Sequence, residues 1–141
     1  IWKGLRIMGL GGCIRYNRED TYQYTEKEMR RRARKLWFKA HRAGGIDLLL
    51  THAPAKGLND GGDKAHVGFE TFNGLLEDYQ PKWFVHGHVH LNYDAKLPRV
   101  CTHGRTTVIN ATERYLFEIP DPDPTAQRKF FWKNPAFTTE N

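Results

Sequence analysis

The sequence predicts an α/β layered fold, with short aliphatic strands alternating with amphipathic helices. Three observations carry that expectation. Apolar residues recur at helical spacing twice, once behind residue 25 and again behind residue 68. Short aliphatic runs separate these stripes, in the order strand, helix, strand, helix, strand. The run at residues 46–50, Ile46-Asp47-Leu48-Leu49-Leu50, has too little alternation for a strand with one wet face and reads as a buried, parallel-type strand.

Taken in order, residues 5–10 are apolar enough for a strand, and Gly9, Gly11 and Gly12 break it. Thr25-Glu26-Lys27-Glu28 is a capping box, with Thr25 as N-cap and Glu28 reaching back to it. Met29, Ala33, Leu36, Trp37 and Ala40 then form one helical stripe, which Gly44-Gly45 ends. Residues 52–68 form a long loop rich in Gly, Asp and Asn, and loops of that length in compact domains are usually functional or disordered. Phe69, Phe72, Leu75, Leu76 and Tyr79 give a second amphipathic helix, stopped before Pro81. Residues 82–86 form another short strand that enters Gly87-His88-Val89-His90. Residues 100–101, 106–109 and 115–119 suggest an antiparallel meander, and Pro120-Asp121-Pro122-Asp123-Pro124 must run extended into a loose tail.

Composition narrows the function classes. At 141 residues the chain fits one domain, and 39% hydrophobic content is ordinary for a soluble α/β protein. No run of about 18 apolar residues exists, so no membrane helix is expected. The first residues are not a signal peptide, so a cytoplasmic chain that begins inside a longer protein is expected. Cys13 and Cys101 make no disulfide framework and read as small buried hydrophobes in a reducing compartment. Much of the net charge of +6 lies in residues 29–35. No aromatic side chains interleave with those arginines, so they read as the solvated face of a helix, and nucleic acid is not an expected partner.

The chemistry concentrates at strand ends. In open α/β sheets, ligands sit outside the carboxyl ends of the strands. His52 closes one predicted strand, and His86-Gly87-His88 closes another. Neutral imidazole is the commonest protein ligand for a transition metal, and Gly87 leaves the backbone free to turn sharply. His86, alternating with His88, is expected to point into the sheet packing. His41 and His103 are expected at the surface, and Asn110 is a candidate to hydrogen-bond the backbone of the histidine loop.

Leu50-Thr51-His52-Ala53-Pro54, a loop with Gly68 opening a helix, and Pro81-Lys82-Trp83-Phe84-Val85-His86-Gly87-His88-Val89-His90 together resemble the last two motifs of the calcineurin-like metallophosphoesterase superfamily. Thr107-Val108-Ile109-Asn110-Ala111-Thr112 is similar to the strand that follows them in its small phosphodiesterase-like branch. The likeness runs over residues 5–119.

The resemblance implies the C-terminal half of a layered α/β/β/α sandwich at residues 1–120, followed by a Pro-rich tail at 121–141. It implies a metal-dependent hydrolase of phosphomonoesters or phosphodiesters, with two divalent ions (Mn, Fe or Zn) about 3.5–4 Å apart. His52 and His88 would bind one ion and His90 the other. His66, where the family's substrate loop lies, is the candidate catalytic residue. The family's earlier motifs, an Asp-x-His pair, a Gly-Asp and a Gly-Asn-His turn, do not precede Leu5. The chain alone is therefore expected to hold one ion or none, and to associate with a second copy or with the missing N-terminal half. The alternative is a non-catalytic fragment or scaffold that keeps the fold without the activity.

Overall fold

The computed structural model describes residues 1–17, 21–91 and 97–120. The elements follow the chain as β1 (Ile7–Leu10), β2 (Cys13–Ile14), β3 (Gln23–Tyr24), α1 (Glu26–Arg42), β4 (Leu48–Thr51), α2 (Glu70–Tyr79), β5 (Trp83–His86), β6 (Val100–His103) and β7 (Thr106–Asn110). The fold is mixed α/β. Its main sheet has the order β1-β4-β5-β7-β6, with only β6 antiparallel, and β2 and β3 form a separate two-stranded pair.

Local chemistry accounts for the helices. The capping box predicted at Thr25 is present: its hydroxyl accepts from the Glu28 backbone N–H, and Glu28 accepts from the Thr25 backbone. Met29 and Ala33 are fully buried, and Leu36, Trp37 and Ala40 pack half-buried beside them. The start of α2 has no side-chain cap of its own at Phe69. Glu26 of α1 takes that role, accepting from the backbone N–H groups of Glu70 (3.1 Å) and Thr71 (2.7 Å) and from the Thr71 hydroxyl. A carboxylate there satisfies orphan donors and lies at the positive end of the helix dipole.

Alternation along the strands divides the core in two. Met8, Leu10, Leu49, Phe84 and Val108 point to one face, where α1 and α2 cover them with Met29, Phe72, Leu75 and Leu76. Leu48, Trp83, Val85 and Ile109 point to the other, where Phe117 and Ile119 pack against them. Ile7 and Leu50 on this second face remain 43% and 46% exposed. Arg6 fastens the start of β4, with its guanidinium on both Asp47 carboxylate oxygens (2.8 and 2.5 Å) and on the Gly44 carbonyl.

Three sequence expectations are revised. β6 and β7 form an antiparallel pair, but β7 also pairs in parallel with β5, so the end of the sheet is not a meander. Residues 115–119 are not a strand. They lie on the second sheet face, where Phe117 and Ile119 remove apolar surface from water against the cluster that contains Trp83 and Ile109. His41 is half-buried and stacks on Trp37 at 5.2 Å, whereas His103 is exposed as expected. Cys13 and Cys101 are free and half-buried. The tail expected at 121–141 lies outside the described residues.

Candidate metal centre

β4 and β5 are parallel neighbours, so their carboxyl ends lie side by side. The Gly87 N–H donates to the His52 carbonyl at 3.0 Å and ties the two ends together. The Thr51 hydroxyl donates to the Ala53 carbonyl at 2.6 Å and tightens the exit from β4. After β5 the chain reverses in a three-residue turn, in which the Val89 N–H donates to the Gly87 carbonyl at 2.8 Å. His88 sits at its centre with φ 68°, a conformation that non-glycine residues rarely adopt and that clusters at functional sites.

This turn is locked from β7. Asn110 is fully buried; its amide donates to the Val89 carbonyl at 2.8 Å, and its side-chain oxygen accepts from the Thr112 N–H at 3.0 Å. The Thr112 hydroxyl donates to the same Val89 carbonyl at 3.0 Å. The backbone role expected for Asn110 is therefore present, and Thr112 is a partner that residue type alone did not single out. His86 points into the packing as expected, 1% exposed. Burial pushes its pKa down to about 4, its Nδ1 hydrogen-bonds the Gly87 carbonyl, and its Nε2 meets no partner among the described residues.

The candidate ligands come together in part. The His52 and His88 rings lie 4.7 Å apart, with His52 Nε2 and His88 Nδ1 separated by 3.0 Å. His88 Nε2 lies 2.8 Å from the Ala65 carbonyl. A carbonyl can only accept, so Nε2 carries the hydrogen and Nδ1 keeps its lone pair. Burial holds the His88 pKa below its ordinary value, and the neighbouring His52, His66 and His90 reinforce that shift against the bond to Ala65. His90 is half-buried and close enough to act on the charge of His88.

His66 reaches the same corner from the long loop, its ring 5.2 Å from that of His88. Asp63 shapes that loop: one carboxylate oxygen accepts from the Ala65 (2.8 Å) and His66 (3.1 Å) backbones, and the other lies 2.8 Å from His66 Nδ1. The hydrogen bond from His66, followed by that from Ala65, holds the Asp63 carboxyl below the usual carboxylate range. Asp63 and the Ala65 carbonyl were not identified from sequence as parts of a site. An Asp two and three residues ahead of the N–H groups it caps is a signal that could have found the first.

The donor set fits a metal in part. The 3.0 Å between His52 Nε2 and His88 Nδ1 is close to the roughly 3.3 Å between two imidazole nitrogens on one ion with bonds of about 2.0–2.1 Å. The bond from His88 Nε2–H to a backbone carbonyl is the outer contact that metal-ligating histidines usually make. Among the described residues, however, no group of three or more His, Cys, Asp or Glu side chains is arranged to hold a metal ion. His52 and His88 thus form a two-nitrogen corner.

No family model and no curated protein matches the chain. Solved structures are similar to it, one of them with a TM-score of 0.55 and 18% identity over 79% of this chain and 42% of that one. A likeness at that identity concerns the fold, and it supports the α/β architecture described above. The chain spans less than half the length of that neighbour. Among the described residues, no helix is long and apolar enough to cross a membrane.

Proposed function

We propose that this chain supplies the histidine ligands of a metal-dependent phosphoesterase that hydrolyses phosphomonoesters or phosphodiesters at a dinuclear centre. The observation that carries the reading is the His52–His88 corner. Two nitrogens stand 3.0 Å apart at the ends of adjacent parallel strands, and His88 is held in one tautomer by the Ala65 carbonyl. His52 and His88 would hold one divalent ion and His90 the second. Two such ions (Mn, Fe or Zn), if bound, would supply charge stabilisation to the oxygens of a phosphate ester. The protein's part is to fix nitrogens on rigid strand ends, so that little ordering remains to be done on binding.

The test is metal content per chain after Mn and Zn loading, measured beside His88→Ala. Bound metal that falls at least tenfold in affinity in the variant is the expected result. Equal affinity in the two proteins would overturn the assignment. A second reading, a fold kept without activity, is favoured by the absence of a three-donor group among the described residues. Hydrolysis of an aryl phosphodiester by the metal-loaded chain, lost in His90→Ala, would count against that second reading.

Partners follow from the sheet. Among the described residues β1 ends the main sheet, and Ile7, Met8, Gly9 and Leu10 carry no charge to guard that edge. Ile7 and Leu50 also leave apolar surface on the second face. The isolated chain is expected to self-associate at high concentration. A monomer in sedimentation equilibrium at about 100 μM, where even weak edge pairing would be populated, would contradict this.

A further inference from the structure

The loop between β4 and α2 contains a feature that metal ligation does not explain. Asp63 spends its carboxylate entirely on its own loop: the Ala65 N–H, the His66 N–H and the His66 ring all bond to it, at 2.8, 3.1 and 2.8 Å. The loop closes further through the Gly61 N–H, which donates to the His66 carbonyl at 2.9 Å, and the Val67 N–H, which donates to the Asp63 carbonyl at 3.1 Å. A Cβ on Gly61 would stand 2.5 Å from the His66 Cβ, so the loop wraps tightly around this one side chain. The His66 ring is held 5.2 Å from that of His88.

We propose that Asp63 is a positioning residue for His66, fixing its imidazole in the Nδ1–H tautomer so that Nε2 is the nitrogen offered to the reacting phosphoester. A carboxylate accepts hydrogen bonds and does not donate them, so the ring nitrogen facing it must carry the hydrogen. The lone pair of the neutral ring is then on Nε2, at the far side of the ring from Asp63. Unlike the buried carboxylate of serine-protease triads, the Asp63 side chain is 64% exposed, but the logic of the exchange is the same: an amide in its place keeps the geometry and inverts the tautomer. The catalytic half of this inference rests on the phosphoesterase reading; the tautomer itself does not.

Asp63→Asn separates the two halves. The amide oxygen can still accept from the Ala65 and His66 backbones, so the loop keeps its turn. The amide NH2 then faces His66 Nδ1, which must become the acceptor. In a two-bond 1H–15N correlation spectrum of the whole chain, with the signal assigned by its loss in His66→Gln, the wild type should show a protonated Nδ1. Asp63→Asn should show a protonated Nε2, and Asp63→Glu should restore the wild-type pattern. A protonated Nε2 in the wild type, or an unchanged pattern in Asp63→Asn, overturns the proposal.

With Mn-loaded protein and an aryl phosphodiester, Asp63→Asn should lower kcat about 100-fold and leave KM within about threefold. An inverted tautomer with kcat unchanged would overturn the catalytic half. If the wild-type chain hydrolyses nothing, the phosphoesterase reading and the catalytic half fail together, and the spectrum still decides the positioning role.

Discussion

Phe84→Ala is expected to destabilise the chain by about 3–5 kcal/mol, the range found when a fully enclosed phenylalanine is truncated. Phe84 is 0% exposed in the middle of β5, with β4 on one side and β7 on the other. Its ring faces the helices in the cluster that contains Phe72, Leu75, Met29 and Val108, and it also touches His86 at 5.4 Å between centroids. The void cannot close easily, because strands paired on both sides cannot move inward. A domain of this size has roughly 5–15 kcal/mol of stability in all, so a large share would go. Urea unfolding should show a lower midpoint with an unchanged slope. Leu50→Ala is the control: at 46% exposed on the second face, it should cost about 1 kcal/mol. Equal losses in the two variants would contradict the assignment of the principal core to the helix side of the sheet.

Gly68→Ala is expected to cost at least as much as the upper part of the roughly 1–3 kcal/mol range for overpacking, because the obstruction is backbone rather than a side chain that can turn aside. An added Cβ would stand 2.4 Å from the Ala55 carbonyl carbon and 2.6 Å from both the Ala55 oxygen and the Lys56 nitrogen. Those atoms lie beside the contacts that close the long loop: Phe69 N–H to the Pro54 carbonyl (3.1 Å), Lys56 N–H to the Phe69 carbonyl (3.2 Å) and Gly68 N–H to the Asp60 carboxylate (3.0 Å). The loop that delivers Ala65 and His66 to His88 is therefore expected to open before the sheet does. Hydrogen exchange should quicken at residues 55–69 in the variant while β4 and β5 stay protected. Gly62→Ala, where a Cβ would meet nothing within 4 Å, should leave both exchange and stability near wild type. Uniform loss of protection across the sheet in Gly68→Ala would show that the loop is not a separate unit.

Much of the layered fold was legible in the sequence because its signals are local. The Thr25–Glu28 capping box spans one helical turn, and the Met29-to-Ala40 stripe follows from the helical period, so neither needs a distant partner. The aliphatic run before His52 marks a strand because it pairs with a neighbour on each side and is buried except at Leu50. The placement of His52 and His88 at strand ends followed from these elements, since His52 follows Leu48-Leu49-Leu50-Thr51 and His88 lies two residues beyond the apolar Trp83-Phe84-Val85-His86 strand.

Other features depended on pairings between residues far apart in the chain, and only the tertiary structure decided them. Residues 106–110 could have continued a meander, but β7 lies parallel to β5, which the sequence could not distinguish because the same side-chain alternation serves both directions. Residues 115–119 alternate as a strand would, yet they cover a sheet face instead. The cap of α2 comes from Glu26, 44 and 45 residues away from its partners Glu70 and Thr71. The candidate site divides in the same way. The sequence determined which imidazoles are present and which strands carry them. The fold decided that the Ala65 carbonyl holds His88 and that Asp63 holds His66. A histidine offers two nitrogens that the sequence cannot tell apart, and the group that reaches one of them fixes which remains for chemistry.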